Sequence, residues 1–424
     1  MSERTAAGRC EAPGGWLHQL GRRDWALLGL TMLFWMFDGY ETFAVIITGP
    51  TSLKELLPPA ALHNLSQYFG YLLAITLVGW TIGGSLGGFF GDRLGRRKTM
   101  IIAVVIYGVV TGLSALSWNW QWLAATRFLT GIGIGAEWAV GTSLLQEVFP
   151  ASARTKSAGL LQSTFSLGGL IISGIWILFS SAGVSWRYVY VIGILPAFLV
   201  ILMRRLIPES NQWVNRRAAS LSGLLGRMGD RQFRSRLIMA VIVSIAITLG
   251  FWAASSYLPT FVGSLASGHN SGFYTGLAGA LYNVGEIVGC IVFGFWAERW
   301  GRRVTTIIYC AGSLAILPIV FKLVGVAWVA AVLQLAAGYL TGGIYSWFTV
   351  HTPELFPTAV RASAIGIIFN LSRILAAAGA LVAGTLAVVL GGVGTAASVF
   401  AAAYVLGIVF VLFLPETKGK PLPA

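Results

Sequence analysis

The sequence predicts an all-α integral membrane protein: twelve transmembrane helices in two pseudo-symmetric six-helix bundles. Three observations carry that expectation. First, 56% of the 424 residues are hydrophobic, 10% are charged and the mean hydropathy is +0.77, too little charge for a soluble domain of this length. Second, the apolar residues gather into twelve segments, each close to the ~20 residues a helix needs to cross a bilayer. Third, motifs recur between the halves. Gly91-Asp92-Arg93-Leu94-Gly95-Arg96-Arg97 returns as Ala297-Glu298-Arg299-Trp300-Gly301-Arg302-Arg303. Gln146-Glu147-Val148-Phe149-Pro150 with Arg154 returns as Pro353-Glu354-Leu355-Phe356-Pro357 with Arg361, and Pro208-Glu209-Ser210 as Pro415-Glu416-Thr417. The offsets are 206, 207 and 207 residues. Three motifs at nearly one offset mark a duplicated six-helix unit.

In chain order the spans are expected at 25–49, 70–90, 99–117, 121–147, 158–180 and 186–206, then 237–262, 273–297, 304–324, 326–351, 361–390 and 393–414. The first follows Arg22-Arg23-Asp24 without a small-residue cleavage site and is expected to be retained rather than removed. Residues 1–206 then form one bundle, 237–424 the other, and 207–236 a basic linker. Leu221, Leu224 and Leu225 among the linker's arginines suit contact with a membrane surface. Trp118, Trp120, Trp122 and Trp186 fall at one set of helix ends, and Trp296 and Trp300 at the other, as interfacial belts do.

A net charge of +14 raises the question of nucleic acid, but the placement of the charges answers it. All but five of the 29 Lys and Arg fall on the side that carries the termini. The exceptions are Lys54, Arg187 and Lys322 near the other face and Arg127 and Arg373 inside spans. That asymmetry predicts a multi-pass membrane protein with both termini cytoplasmic and no nucleic-acid partner. Cys10, Cys290 and Cys310 make neither a disulfide framework nor a metal spacing. No Walker motif and no nucleophile–base constellation is evident, so neither an enzyme nor a cofactor is expected.

The loop Gly-Asp-Arg-Leu-Gly-Arg-Arg-Lys resembles the signature loop of the major facilitator superfamily. Glu147…Arg154, Pro-Glu-Ser after span 6 and Pro-Glu-Thr-Lys-Gly after span 12 resemble its sugar-porter and organic-ion branches. Asp38-Gly39-Tyr40-Glu41 is similar to the Asp-Gly-Tyr/Phe-Asp signature of proton symporters for aromatic acids and for sialate or monocarboxylates. Arg127…Gly131-x-Gly133-x-Gly135-Ala136-Glu137-Trp138 resembles the same families in span 4. Glu41 stands where those families have Asp, and Ala136 where they have Gly. The resemblance implies proton-coupled import of a small organic anion by alternating access; the short termini and compact loops suit a bacterial inner membrane, and a monomer is expected. Sugar or organic-cation porters and multidrug exporters are the rivals within the class, and a non-transporting receptor the rival outside it.

Charges inside spans cost roughly 2.5–3.5 kcal/mol each on insertion scales, so the candidate site is read from them. Asp38 and Glu41 lie three residues apart on one helix face. Helical rise puts Glu41 roughly 12 Å and Arg127 roughly 9–10 Å below the same membrane edge. Glu286 and Arg373 fall near mid-depth, with Asn283 and Asn370 beside them. An arginine holds a carboxylate by paired charged hydrogen bonds, which makes Arg127 and Arg373 the anion-holding candidates, with Asn370, Glu286, Asn283 and Tyr40 around them. Desolvated carboxylates hold protons more readily, which makes Asp38, Glu41 and Glu137 the proton candidates. The alternative for Arg127 is simple neutralisation of span 1. Asp92, Arg93, Arg96, Arg97, Glu147, Arg154, Glu298, Arg302, Glu354 and Arg361 are expected to interlock as a cytoplasmic gate. Glycine rows in spans 2 and 4 are expected to serve rocking motions. Asn64-Leu65-Ser66 fits a glycosylation acceptor, with nothing else pointing to a secretory route.

Overall fold

The computed structural model describes residues 21–148, 151–203, 229–253, 255–266, 270–357, 361–390 and 392–420, and among them there is no β-strand. Lipid offers backbone amides no hydrogen-bond partner, so long apolar runs satisfy their own backbone as helices. In order these are α1 (Arg22–Leu56), α2 (Leu65–Leu94), α3 (Arg96–Ser114), α4 (Trp120–Val148), α5 (Ala151–Ser181), α6 (Arg187–Ile192) and α7 (Leu195–Met203). The second series is α8 (Arg231–Ala253), α9 (Leu258–Ser264), α10 (Ser271–Trp300), α11 (Arg302–Pro318), α12 (Ala327–Ala337), α13 (Ser346–Val350), α14 (Thr352–Leu355), α15 (Arg361–Val389), α16 (Val393–Ala401) and α17 (Ala403–Val411).

Ten segments of the described residues are long and apolar enough to cross a membrane. The 29-residue α4 and the shorter apolar stretch Arg187–Ile201 stand where the sequence puts spans 4 and 6. Most of the expected linker lies in residues 204–228, outside the described set.

The duplication is visible in backbone geometry. Gly95 has φ 96° and Gly301 has φ 97°. Each ends one long helix and opens the next (α2 to α3, α10 to α11). An L side chain is strained at that angle, so both copies of the loop keep glycine at the same point.

Close packing fixes the candidate carboxylates. A Cβ on Gly39 would stand 1.9 Å from the Phe165 carbonyl oxygen, and one on Gly168 would stand 1.8 Å from that of Met36. Glycine at both places lets α1 and α5 touch backbone to backbone beside Asp38. The glycine rows of α2 and α4 allow close approach both within and between halves. Gly83 meets the backbone of Ile132, Gly135 that of Trp80, and Gly84 faces Asn370 of the other half. The halves meet along α2–α15 and α5–α10, where Gly70 approaches Gly384 and Gly276 approaches Ser173.

Spans 7 and 10, in the second half, are interrupted by tighter or wider turns. A 3₁₀ turn, Ser255–Tyr257, separates α9 from α8. A π turn, Gly338–Gly342, and a 3₁₀ turn, Gly343–Tyr345, follow α12. Interrupted helices at mid-depth are where transport proteins expose irregular backbone to a cavity, and Tyr345 lines the central void described next.

Candidate functional site

Four charged clusters arise from the helix packing. The first lies wholly in the first half. Arg127 on α4 meets Glu41 on α1 at 3.1 Å, with both side chains at 1% exposure or less. The guanidinium also donates to Thr111 Oγ1 at 3.0 Å and Ser114 Oγ at 2.8 Å, and it lies 4.7 Å from the centre of the Tyr190 ring. Thr111 in turn donates to Glu41 Oε2 at 2.9 Å. Tyr40 turns the same way and donates to the Val189 carbonyl at 2.8 Å. Arg127, Glu41 and Tyr40 thus form one interior knot.

The second cluster lies one turn away. Asp38 on α1, Glu137 on α4 and Tyr107 on α3 face one another. Both Asp38 oxygens, Glu137 Oε2 and the Tyr107 hydroxyl are buried without a hydrogen-bond partner. Tyr107 and Thr111 lie four residues apart on one face of α3, and each attends one α1 carboxylate. Two buried carboxylates side by side repel in a low dielectric. A proton held between them relieves the repulsion and supplies the missing donor.

The third is the central void, lined from both halves by Trp35, Trp80, Phe165, Trp252, Tyr345 and Phe369, and by Gln162, Phe251, Glu286 and Arg373. Arg373 sits in an aromatic box. Its guanidinium carbon lies 3.9 Å from the Phe369 ring centre, 4.2 Å from Trp80 and 5.4 Å from Trp138. Trp138 stacks on Phe369 at 4.4 Å. Arg373 Nη1 is buried without a hydrogen-bond partner, and among the described residues no acidic side chain pairs with it. Tyr345 and Asp38 are its electrostatic neighbours. Glu286 lines the same void, with Oε2 unpartnered and Ser166 as its neighbour across the interface.

The two asparagines are contact points between halves. Asn283 donates to its own helix at Gly279 O, 2.7 Å, and presses its Oδ1 against Gly169; Asn370 does the same against Gly84.

The fourth cluster lies at the face carrying the termini. Arg302 holds Glu354 through two bonds of 2.9 and 2.8 Å. Glu416 accepts backbone N–H groups of Arg302 and Arg303, each at 3.0 Å, and so caps the start of α11. Burial alone raises the Glu416 carboxyl, but backbone donors from Arg302, Arg303, Lys418 and Thr417 outweigh it and hold the group below its ordinary range. His351 joins the same knot: Trp347 donates to Nδ1 at 3.1 Å, which leaves Nε2–H for the Pro415 carbonyl at 3.2 Å. Arg93 lies over the Phe89 ring, Arg96 packs beside Gly91, Arg97 is partly buried and Glu298 is exposed. The side chains of Asp92, Glu147, Arg154 and Arg361 lie outside the described residues.

Sequence reasoning named the charges and missed the rings. One local signal was available: Phe369 and Arg373 are four apart on α15, a spacing that sets two side chains face to face.

Comparisons with known proteins agree with this architecture. The family model described as Major Facilitator Superfamily matches residues 45–380. The "Probable 4-methylmuconolactone transporter" of Cupriavidus pinatubonensis is 27% identical over 360 residues, covering 82% of each chain. The "Cis,cis-muconate transport protein" of Acinetobacter baylyi is 26% identical over 370 residues, covering 83% of this chain and 86% of that one. Among solved structures, the xylose transporter of Escherichia coli in a partially occluded inward-open conformation superposes with a TM-score of 0.75 at 21% identity. That match covers 95% of this chain and 100% of the other.

Proposed function

The chain belongs to the Major Facilitator Superfamily and is a multi-pass membrane transporter, not an enzyme; from that premise we propose that it imports a small organic anion, an aromatic or conjugated carboxylate, together with protons. The observation that carries the reading is Arg373. A buried guanidinium with rings on its faces and an unpartnered Nη1 is stabilised by cation–π contact, about 0.5–2 kcal/mol for each ring, yet offers its donor edge to a ligand. A carboxylate fits that edge with two charged hydrogen bonds. The void is about 20 Å³ here; once it opens, a planar acyl or aryl body stacks on the surrounding rings. A neutral sugar satisfies the rings but leaves the charge unmatched. The relatives named for muconate and a muconolactone support an organic acid.

Coupling follows from charge conservation in a dry site. Without cargo, Asp38 and Tyr345 are the groups that act on Arg373 through space. A bound carboxylate takes over that role, and Asp38, beside Glu137, is then left as excess negative charge and takes a proton. The loaded site therefore carries cargo and proton together. Trp138 follows Glu137 in sequence and touches both Phe369 and the Arg373 box, which links the proton pair mechanically to the cargo site. The excess of basic residues at the face with the termini supports a cytoplasmic position for that face, in a bacterial inner membrane, and Arg302–Glu354 with Glu416 acts there as one latch of the gate.

The test uses purified protein in proteoliposomes loaded with benzoate. The wild type is expected to accumulate labelled benzoate under an inward proton gradient, and Asp38→Asn to exchange benzoate across the membrane without accumulating it. Gradient-driven accumulation intact in Asp38→Asn and in Asp38→Asn/Glu137→Gln would overturn the coupling assignment. Uptake of sugars in preference to carboxylates would overturn the cargo assignment.

A further inference from the structure

Among the described residues, Lys54, Arg187 and Lys322 lie near the face opposite the termini, and Arg187 is the one of the three paired with an acid. Arg187 meets Glu55 at 2.5 Å and the Ser117 carbonyl at 2.9 Å. Its guanidinium also lies 4.4 Å from the Trp186 ring centre. Lys54, at the end of α1, and Lys322, in the π turn that follows α11, are exposed and in no ion pair among the described residues. They come from different halves of the molecule, and both line one cavity.

That cavity has a volume of about 520 Å³, within the ~300–1,000 Å³ range of small-molecule sites. Among the described residues Lys54 and Lys322 are its only charged lining residues, and Thr51, Ser66, Ser264 and Thr275 add hydroxyls. It shares no lining residue with the Arg373 void. Its floor contains Phe69 and Tyr257, whose rings meet edge to face at 5.2 Å. That ring contact joins the two halves, and the Tyr257 hydroxyl donates to the Ala380 carbonyl on α15 at 3.3 Å within the second half.

We propose that this vestibule is a second anion site, which takes one small carboxylate between Lys54 and Lys322 before it reaches Arg373. Two uncompensated cations in a recess with low-dielectric walls focus negative ligands there. The side-chain chemistry suits capture and release. A solvated ammonium on a flexible stem is a point charge without the rigid fork of a guanidinium. The vestibule therefore binds weakly and sensitively to salt, while the buried Arg373 binds tightly and is shielded from salt. The proposal rests on the reading that the cargo is an anion.

Two measurements test it and separate its failure from failure of that reading. In the first, purified Arg373→Ala protein is titrated with 4-fluorobenzoate and the ¹⁹F linewidth is followed. Broadening that is lost in Arg373→Ala/Lys54→Gln/Lys322→Gln and suppressed by added salt supports the site. No broadening in Arg373→Ala, or equal broadening in the triple variant, overturns it. In the second, initial uptake of the same probe is compared between wild type and Lys54→Glu/Lys322→Glu. The half-saturating concentration is expected to rise by roughly tenfold at low ionic strength, with a smaller change in the saturating rate. An unchanged value would overturn the vestibule while leaving the Arg373 reading intact. Lysine-dependent broadening in a wild type that transports no carboxylate would leave anion binding at the vestibule but overturn its place on a path to Arg373, together with the cargo assignment.

Discussion

Arg127 and Arg373 are the same residue type, equally hidden from solvent, on helices of opposite halves, yet their surroundings differ in kind. Arg127 has a carboxylate at 3.1 Å, hydroxyls at 3.0 and 2.8 Å and one ring beside it. Arg373 has three rings and an unpartnered Nη1. The first guanidinium is held at both Nη atoms from within its own half, with Nε left over. The second is stabilised on its faces while its edge remains for a ligand. Burial of an arginine in a membrane span therefore does not by itself mark a cargo site; its partners do.

The largest expected effect breaks the first environment. Arg127→Met leaves Glu41 buried and unpaired and is expected to cost about 3–5 kcal/mol of stability. Glu41→Gln/Arg127→Met, which removes both charges, is expected to regain most of it, and calorimetry of the two proteins checks this. The same double variant sharpens the comparison, because carboxylate binding is expected to survive in it. Its loss in a folded double variant would move the cargo to Arg127.

Next comes Arg373→Ala, expected to lower uptake of an aromatic acid by roughly a hundredfold, the scale for losing a buried charged partner. Arg373→Lys is expected to recover little, since an ammonium lacks the planar fork. Initial-rate uptake by membrane vesicles measures both. A smaller effect is expected from Trp138→Ala: about 0.5–2 kcal/mol of cation–π stabilisation disappears, and affinity falls up to about thirtyfold by that energy while Arg373 remains.

The smallest effect lies at the terminal face. Glu416 is held below its ordinary range by backbone donors. A depressed folded value means that its contribution is present at neutral pH and is lost only as pH falls through that value. Glu416→Gln is expected to cost about 0.3–1 kcal/mol at neutral pH, the scale of an anion at a helix start, and nothing further in acid. Thermal unfolding scanned from neutral to acidic pH reads the convergence of variant and wild type.

Much of this molecule was legible from residue order. Apolar segment lengths and the repeated loop gave the fold, because membrane spans and duplicated turns leave their period in the sequence; the matching φ of Gly95 and Gly301 is the physical residue of that repeat. The charges in spans were equally visible, because they are rare there. Their pairing was not. Glu41 and Arg127 were expected at comparable depth, but depth alone says nothing of which neighbour each faces. The aromatic box escaped because Trp80, Trp138 and Phe369 read like any apolar residues in a span. Only packing between halves gathers rings from α2, α4 and α15 around one guanidinium. The glycine rows teach the same: spacing announces close approach without naming the partner, and here Gly83 and Gly135 meet their own half while Gly84 meets Asn370 of the other.

The most direct test of the central claim is thermal unfolding of purified protein with benzoate, xylose or a primary amine present at saturating concentration. Ligands that bind the folded state raise its midpoint by mass action. The account predicts a rise with benzoate alone, retained in Glu41→Gln/Arg127→Met and absent in Arg373→Ala. A rise with xylose alone, or a benzoate shift that survives Arg373→Ala undiminished, would contradict it.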